Sequence, residues 1–359
     1  MNGKIASIFC SFFLVGLFLS TNTAAAQANT YHQINLVSDV QGRAHHTDRL
    51  LVNPWGVAFK PGFPFLVADN KKGLATAYDA SGVSQLPVGF AIPRPPGDKS
   101  PATPTGAEFD FTSSFVVAAT PAQFIFASED GVISGWCCVD DNFLEVALLA
   151  VDNSSQGAVY KGLTILTPDC CAPFLVVTNF NSGLVEPYTN FFAPLAPPGS
   201  FTDPSLPRGY APFGIQAIGK QVFVTYAVQD HAKRDPVTGP GKGIVSIFDL
   251  EGNFIKRFAS HGILNAPWGV VQASVHFGKF SGDILIANFG DGTVNAFDPA
   301  TGKFRGRLKN AAGKVITNPG LWALTFGAGG TGDPNTLYFT AGSKDENHGL
   351  FGAIKVSKQ

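Results

Sequence analysis

Amide and carboxylate side chains recur at matching places along this chain, and their chemistry limits what it can do. Apolar runs repeatedly stop in polar turns. These turns supply Asp69 and Asn70, Glu129 and Asp130, Asn179 and Asn181, Asp230, Asn288 and Asp291, then Asp345, Glu346 and His348. A second set, Asn53, Asn265 and Asn318, opens apolar segments that carry Trp55, Trp268 and Trp322 close behind. Oxygen atoms of this kind accept hydrogen bonds from polar ligands, and hard divalent cations take them as ligands. Asn and Asp are also among the best turn formers, so many of them need only cap hairpins. Grouping by predicted face singles out Asn53, Asp69, Asn70, Tyr226, Asp230, Asn288, Asp291, Glu346 and His348 as candidate ligand-binding residues.

Familiar catalytic motifs are missing. The sequence has no His-Glu-x-x-His and no Gly-x-Ser-x-Gly, the patterns of common zinc proteases and of serine hydrolase elbows. Gly239-Pro240-Gly241-Lys242-Gly243 fails as a phosphate loop, because neither Ser nor Thr follows Lys242. Asn288 to Gly292 lacks the distant Glu of a calcium loop. His45-His46-Thr47-Asp48 reads as a solvated loop. With a formal charge of −1 and 14% charged residues, nothing suggests nucleic acid.

Residues 1–28 read as a secretory signal peptide. Lys4 precedes an apolar run from Ile5 to Leu19, and Ala24-Ala25-Ala26 and Ala26-Gln27-Ala28 both fit a cleavage site. The mature product is expected to be secreted or periplasmic, monomeric and without a membrane span. In that compartment Cys137, Cys138, Cys170 and Cys171 suggest disulfides. Four cysteines allow three connectivities. Two bonds between adjacent blades are favoured over bonds within each Cys-Cys pair, which would be strained, with a four-cysteine metal site as the alternative.

The elements that must position these residues emerge from internal repetition. One phrase is a turn followed by an apolar strand: Asn53-Pro54-Trp55-Gly56-Val57, Ala211-Pro212-Phe213-Gly214-Ile215 and Ala266-Pro267-Trp268-Gly269-Val270. Looser copies are Tyr160-Lys161-Gly162-Leu163 and Asn318-Pro319-Gly320-Leu321-Trp322. A β-rich run follows each, as in Phe65 to Asn70 or Ile284 to Asp291, and then a strand ending near Asp-x-x-Gly. Six such units of four antiparallel strands, roughly 50 to 60 residues apart, define an all-β, six-bladed β-propeller over residues 29–359. The strand Gln33 to Ser38 is expected to supply the missing outer strand of blade six and so close the ring.

These phrases resemble NHL-type and gluconolactonase-type propellers, through the Pro-x-Gly-Val strand followed by Val67-Ala68-Asp69-Asn70. A closer resemblance is to an uncharacterised family of exported bacterial propellers. It runs from Asn35-Leu36-Val37-Ser38-Asp39 to Phe351-Gly352, and its most specific stretches are Asn53-Pro54-Trp55-Gly56 and Gly209-Tyr210-Ala211-Pro212-Phe213, with Asn288-Phe289-Gly290-Asp291-Gly292 also specific. The resemblance implies the fold and no activity.

Three functions follow as expectations. The first is a binding module for a small molecule, glycan or protein on the polar loop face, with no cofactor. The second is a lactonase-type hydrolase, which would need Ca²⁺ or another divalent cation; Asn53, Asn265 and Asn318 supply no carboxylate where that type places its axial ligands. The third is a structural cell-surface module. For the leader, the test is N-terminal sequencing of protein made in an export-competent host: the mature chain should begin after Ala26 or Ala28.

Overall fold

A computed structural model describes, apart from Met1, residues 30–139, 142–143, 145–196 and 201–357. The expected signal peptide lies outside these residues. Strands in the middle of each repeat are apolar for most of their length because both of their faces are covered. In Phe65–Asp69 every residue is buried. Phe65 and Val67 pack with Tyr338 and Phe351 of the preceding blade. Leu66 and Ala68 pack with Phe124, Phe126 and Trp136 of the following blade. Alternation along a strand thus sends neighbouring residues into two different interblade cores.

Six antiparallel sheets result. Blade one holds Pro54–Ala58, Phe65–Asp69, Leu74–Tyr78 and Phe90–Ala91, and blade two Pro104–Phe109, Phe124–Ser128, Val132–Trp136 and Leu148–Asp152. Blade three holds Tyr160–Leu166, Phe174–Asn179 and Leu184–Thr189, with a single bridge from Tyr188 to Pro194 beside the third strand. Blade four holds Tyr210–Ile218, Gln221–Val228, Ile244–Phe248 and Phe254–Ser260, and blade five Pro267–Gln272, Ile284–Asn288, Val294–Phe297 and Phe304–Arg307. Blade six holds Leu321–Phe326, Leu337–Gly342 and His348–Val356, and Tyr31–Ser38 pairs antiparallel with the last of these. The N-terminal strand therefore closes the ring as expected. Among the described residues, no helix is long and apolar enough to cross a membrane.

The first strands of the blades touch one another in a closed circle. Five carry glycine at the point of closest approach, Gly56, Gly106, Gly162, Gly214 and Gly269, and blade six has Ala323. A Cβ on Gly269 would lie 2.5 Å from the Trp322 carbonyl oxygen, and one on Gly56 2.6 Å from that of Thr105. Pairing slips at this point in several blades, as between Pro212 and Ile215. Buried threonines on the second strands repair the break. Thr178, Thr225 and Thr340 accept the N–H of Gly162, Gly214 and Ala323 at 2.8, 2.8 and 3.1 Å. Two of them also donate to the next blade, Thr178 to the Phe213 carbonyl and Thr340 to that of Trp55. The axis retains a cavity of only about 40 Å³, enough for a few water molecules.

The interblade disulfides expected from the sequence do not form. Cys170 is joined to its neighbour Cys171 in the exposed turn between the first two strands of blade three. Cys137 is buried in blade two, so a solvent-facing turn and a core position do not meet. The side chain of Cys138 lies outside the described residues.

Replacing Gly269 by Ala should lower stability by about 2 kcal/mol, since the added methyl must push two backbones apart. Ala323→Gly should cost less than about 1 kcal/mol, the ordinary backbone-entropy effect. Urea denaturation of the two variants checks the difference.

Candidate functional site

The residue before each close-approach glycine sits at the mouth of the axis. These residues are Trp55, Thr105, Lys161, Phe213 and Trp268, with Trp322 before Ala323. Their rings meet across the propeller. Trp55 of blade one stacks on Trp322 of blade six at 3.4 Å and lies 6.5 Å from Phe213 of blade four. Trp268 meets Trp55 and Trp322 edge-on at 6.0 and 5.9 Å, and Phe289 stacks on Trp322 at 4.2 Å. This aromatic plug covers the axis.

Lys161 is embedded in the plug. Its side chain is fully buried and forms an ion pair with Glu129. Its Nζ lies 5.0 Å from the Trp55 ring and 5.7 Å from Phe180, so the rings add cation–π attraction. A polar chain runs outward from the pair. Asn70 Nδ2 donates to Glu129 Oε2 at 3.0 Å, and Asn53 Nδ2 donates to Asn70 Oδ1 at 3.2 Å and to Glu346 Oε2 at 2.9 Å. Asn53 Oδ1 in turn accepts the Trp322 indole N–H at 3.1 Å. Asp235, from the long loop of blade four, approaches Lys161 to 3.6 Å.

The carboxylates respond in opposite directions. Burial works against the charge on Glu129, but the Lys161 ammonium and the hydrogen bonds from Lys161 and Asn70 outweigh it and hold that carboxyl below its usual range. Burial, and then the Glu129 charge, push Glu346 up, with Lys161 opposing and Asp235 adding to the rise.

Beside the plug lies a groove of about 550 Å³ lined by Phe289, Asp291, Lys344, Asp345, Glu346 and Asp235, among others. The blade-four loop forms one wall. Gln229 anchors it to the Phe180 carbonyl of blade three, and its Gly239 N–H donates to Asn265 Oδ1 of blade five at 2.6 Å. The opposite wall is a turn in which Lys344, Asp345 and Glu346 all adopt left-handed backbone angles, with φ of 51°, 53° and 63°. Such conformations cost roughly 1–3 kcal/mol per residue and persist only where the surroundings enforce them.

The nine candidate residues fall into distinct places. Asn53, Asn70 and Glu346 join the mouth network, and Asp291 lines the groove while accepting the Thr293 N–H and hydroxyl. Asn288 is buried beneath the groove and caps the turn ahead of it, accepting the Asn265 N–H. Asp230 accepts the N–H groups of Arg234 and Asp235 and so shapes the blade-four loop. His348 pairs with Asp39 at 2.7 Å, tying blade six to the segment after the closing strand. Asp69 and Tyr226 do not reach the mouth. Asp69 is in phase with Phe65 and Val67 and is buried on the blade-six side of its strand, where it accepts the Thr76 hydroxyl at 2.7 Å; burial raises its carboxyl well above the usual range. Tyr226 is in phase with Val222 and Val224 in the core shared with blade three.

Sequence reasoning missed Lys161 and Phe289; Asp235 is carried by the long blade-four loop from Gln229 to Gly243, whose length marks it as a functional candidate from the sequence. For Lys161 the signal was present: in Tyr160-Lys161-Gly162-Leu163 it occupies the place that Trp55, Phe213 and Trp268 fill in the other copies. A charge at an aligned core position demands a partner.

Among the described residues, no three His, Cys, Asp or Glu side chains converge to hold a metal ion. Fold and mouth together define a six-bladed β-propeller whose axis is plugged by aromatic rings around a buried ion pair. Solved propellers share the fold: a glucose dehydrogenase (TM-score 0.58, 13% identity), the Escherichia coli aldose sugar dehydrogenase (0.55, 13%) and streptogramin B lyase (0.52, 12%). Each match covers 91% of this chain and at least 98% of the other. No protein-family model matches the sequence. An uncharacterised protein of Acanthamoeba polyphaga mimivirus is 32% identical over 341 residues, 91% of this chain and 81% of its own length. A second from the same virus is 28% identical over 336 residues, 89% of this chain and 84% of its own length. The chain belongs to the family of the first. These relatives are viral and lend no support to the bacterial assignment.

Lys161→Met should destabilise the protein by about 3–5 kcal/mol, because it leaves the Glu129 carboxylate buried without its partner. Adding Glu129→Leu should restore most of that loss, which chemical denaturation of both variants would show. Glu346→Gln should act in the opposite sense. A carboxyl whose folded pKa is raised contributes stability below its unfolded pKa and loses it as pH rises through the folded value. The Gln variant, which can still accept from Asn53, should therefore melt higher than wild type near neutral pH. The two should converge below the ordinary Glu range, as melting curves across pH would reveal.

Proposed function

We propose that this propeller is a binding module acting outside the cytoplasm, and that its ligand is a small, donor-rich molecule seated in the groove between the blade-four loop and the 344–346 turn. The observation that carries this reading is the composition of the groove. One aromatic ring, Phe289, is backed by Trp322, and four carboxylates stand against one Lys. Ionised carboxylates only accept hydrogen bonds, so a sugar's hydroxyls or an amine's N–H groups match them. Burial and the Glu129 and Asp235 charges push Glu346 up against the opposing Lys161 ammonium, and a donor placed beside Glu346 would relieve what remains of that repulsion. A volume near 550 Å³ lies within the range of small-molecule sites.

The cation-dependent hydrolase is the weaker reading. Lys161 already places a positive charge at the axial mouth where a metal would sit. Of the carboxylates that could have served, Asp69 faces an interblade core and Asp230 accepts N–H groups of its own loop.

Titration calorimetry at low salt with neutral disaccharides and with arginine methyl ester tests the proposal. At least one class should bind saturably, and Phe289→Ala should weaken it about tenfold, the loss of one aromatic contact plus its burial. No binding by either class, or binding indifferent to Phe289, would overturn the reading.

A further inference from the structure

A second groove, of about 540 Å³, opens between blades one and two and has the opposite chemistry. It lies between the turn after Phe65–Asp69 and the Pro-rich segment 92–103 that leads into blade two, both of which belong to the face bearing the plug. Lys72 and Arg94 line it, together with the apolar Leu74, Val88 and Ile92 and one carboxylate, Glu145. Val88 is 80% exposed.

Arg94 carries the argument. Its Nη1 is buried and has no hydrogen-bond partner. A guanidinium N–H withdrawn from water without an acceptor is costly, and native structures supply one. Asp98, four residues on, acts on Arg94 only through space and forms no ion pair with it, while its Oδ1 accepts the N–H and hydroxyl of Ser100, both at 2.8 Å. The flat guanidinium fork matches a planar or tetrahedral oxyanion. Lys72, exposed on the same groove, adds a second positive charge.

We propose that this groove binds a small organic oxyanion, a carboxylate or a phosphate ester. Its charged head would sit between Arg94 and Lys72, and its apolar part would cover Val88. The site is separate from the Phe289 groove and stands or falls without it.

The probes are benzoate and inorganic phosphate, titrated calorimetrically at an ionic strength held constant with chloride. Saturable binding of either probe supports the site, and the better binder identifies the oxyanion. Arg94→Gln should weaken binding about tenfold or more, as expected for a charge-assisted hydrogen bond. Lys72→Gln, at an exposed position, should weaken it several-fold while the melting temperature stays put, and Phe289→Ala should leave it unchanged. Failure of both probes to bind saturably to the wild-type protein overturns the proposal. So does binding that survives in both the Arg94 and Lys72 variants.

Discussion

Six β-strands meet around one axis with almost nothing between their backbones, and that close approach governs the rest of this molecule. Only a residue with a minimal side chain fits where Gly56, Gly214 or Gly269 faces the next inner strand. Backbone pairing breaks there, and the threonine hydroxyls of Thr178, Thr225 and Thr340 take over the orphaned N–H groups. The break also fixes where the preceding side chain goes. Trp55, Phe213, Trp268 and Trp322 are delivered to one mouth of the axis, where they fill the space a channel would need. A ligand of any size must therefore bind beside the axis, between loops, and the two grooves on this face lie there.

The mouth network shows how a charge is kept in such a place. Lys161 has aromatic rings for neighbours and Glu129 for a partner. A buried pair of this kind contributes little net stability, but losing either member is expensive. Its main effect is to fix geometry. Glu129 orients Asn70, Asn70 orients Asn53, and Asn53 holds both Glu346 and the Trp322 indole. Residues from blades one, two, three and six are thus locked into one chain of hydrogen bonds. The side chain that faces the groove, Glu346, is positioned through it.

Much of this was legible in the sequence, for a physical reason. Repeated phrases of turn, strand and Asp-x-x-Gly hairpin report local backbone demands, and those demands recur in every blade. The closing role of the N-terminal strand followed from counting strands. Facing was harder. Asp69 and Asn70 are adjacent, yet one is buried toward blade six and the other joins the mouth. Strand parity with Phe65 and Val67 separates them, and grouping residues by turn ignored it. Tyr226 is displaced by the same parity rule. The cysteine pairing was not legible, because which way the Cys170–Cys171 turn points depends on tertiary packing. Phe289 and Asp235 gain their roles only from loops that converge across blades.

The strained turn at 344–346 is the feature least explained by folding alone. Elsewhere on this face the left-handed positions fall mostly to glycine, as at Gly73, Gly131, Gly183 and Gly292, and Asn53 is a residue type that tolerates that conformation. Asp345 shares that tolerance, but Lys344 and Glu346 do not, and Gly at those two places would relieve the backbone. Sequences that depart from local preference tend to do so at functional sites, with the cost met elsewhere in the structure. Here the departure sets a carboxylate against Asn53, between Glu129 and Asp235, at the edge of an aromatic-floored groove. That departure is in keeping with the proposed reading, a site that presents acceptors to an incoming donor beside the Lys161 pair.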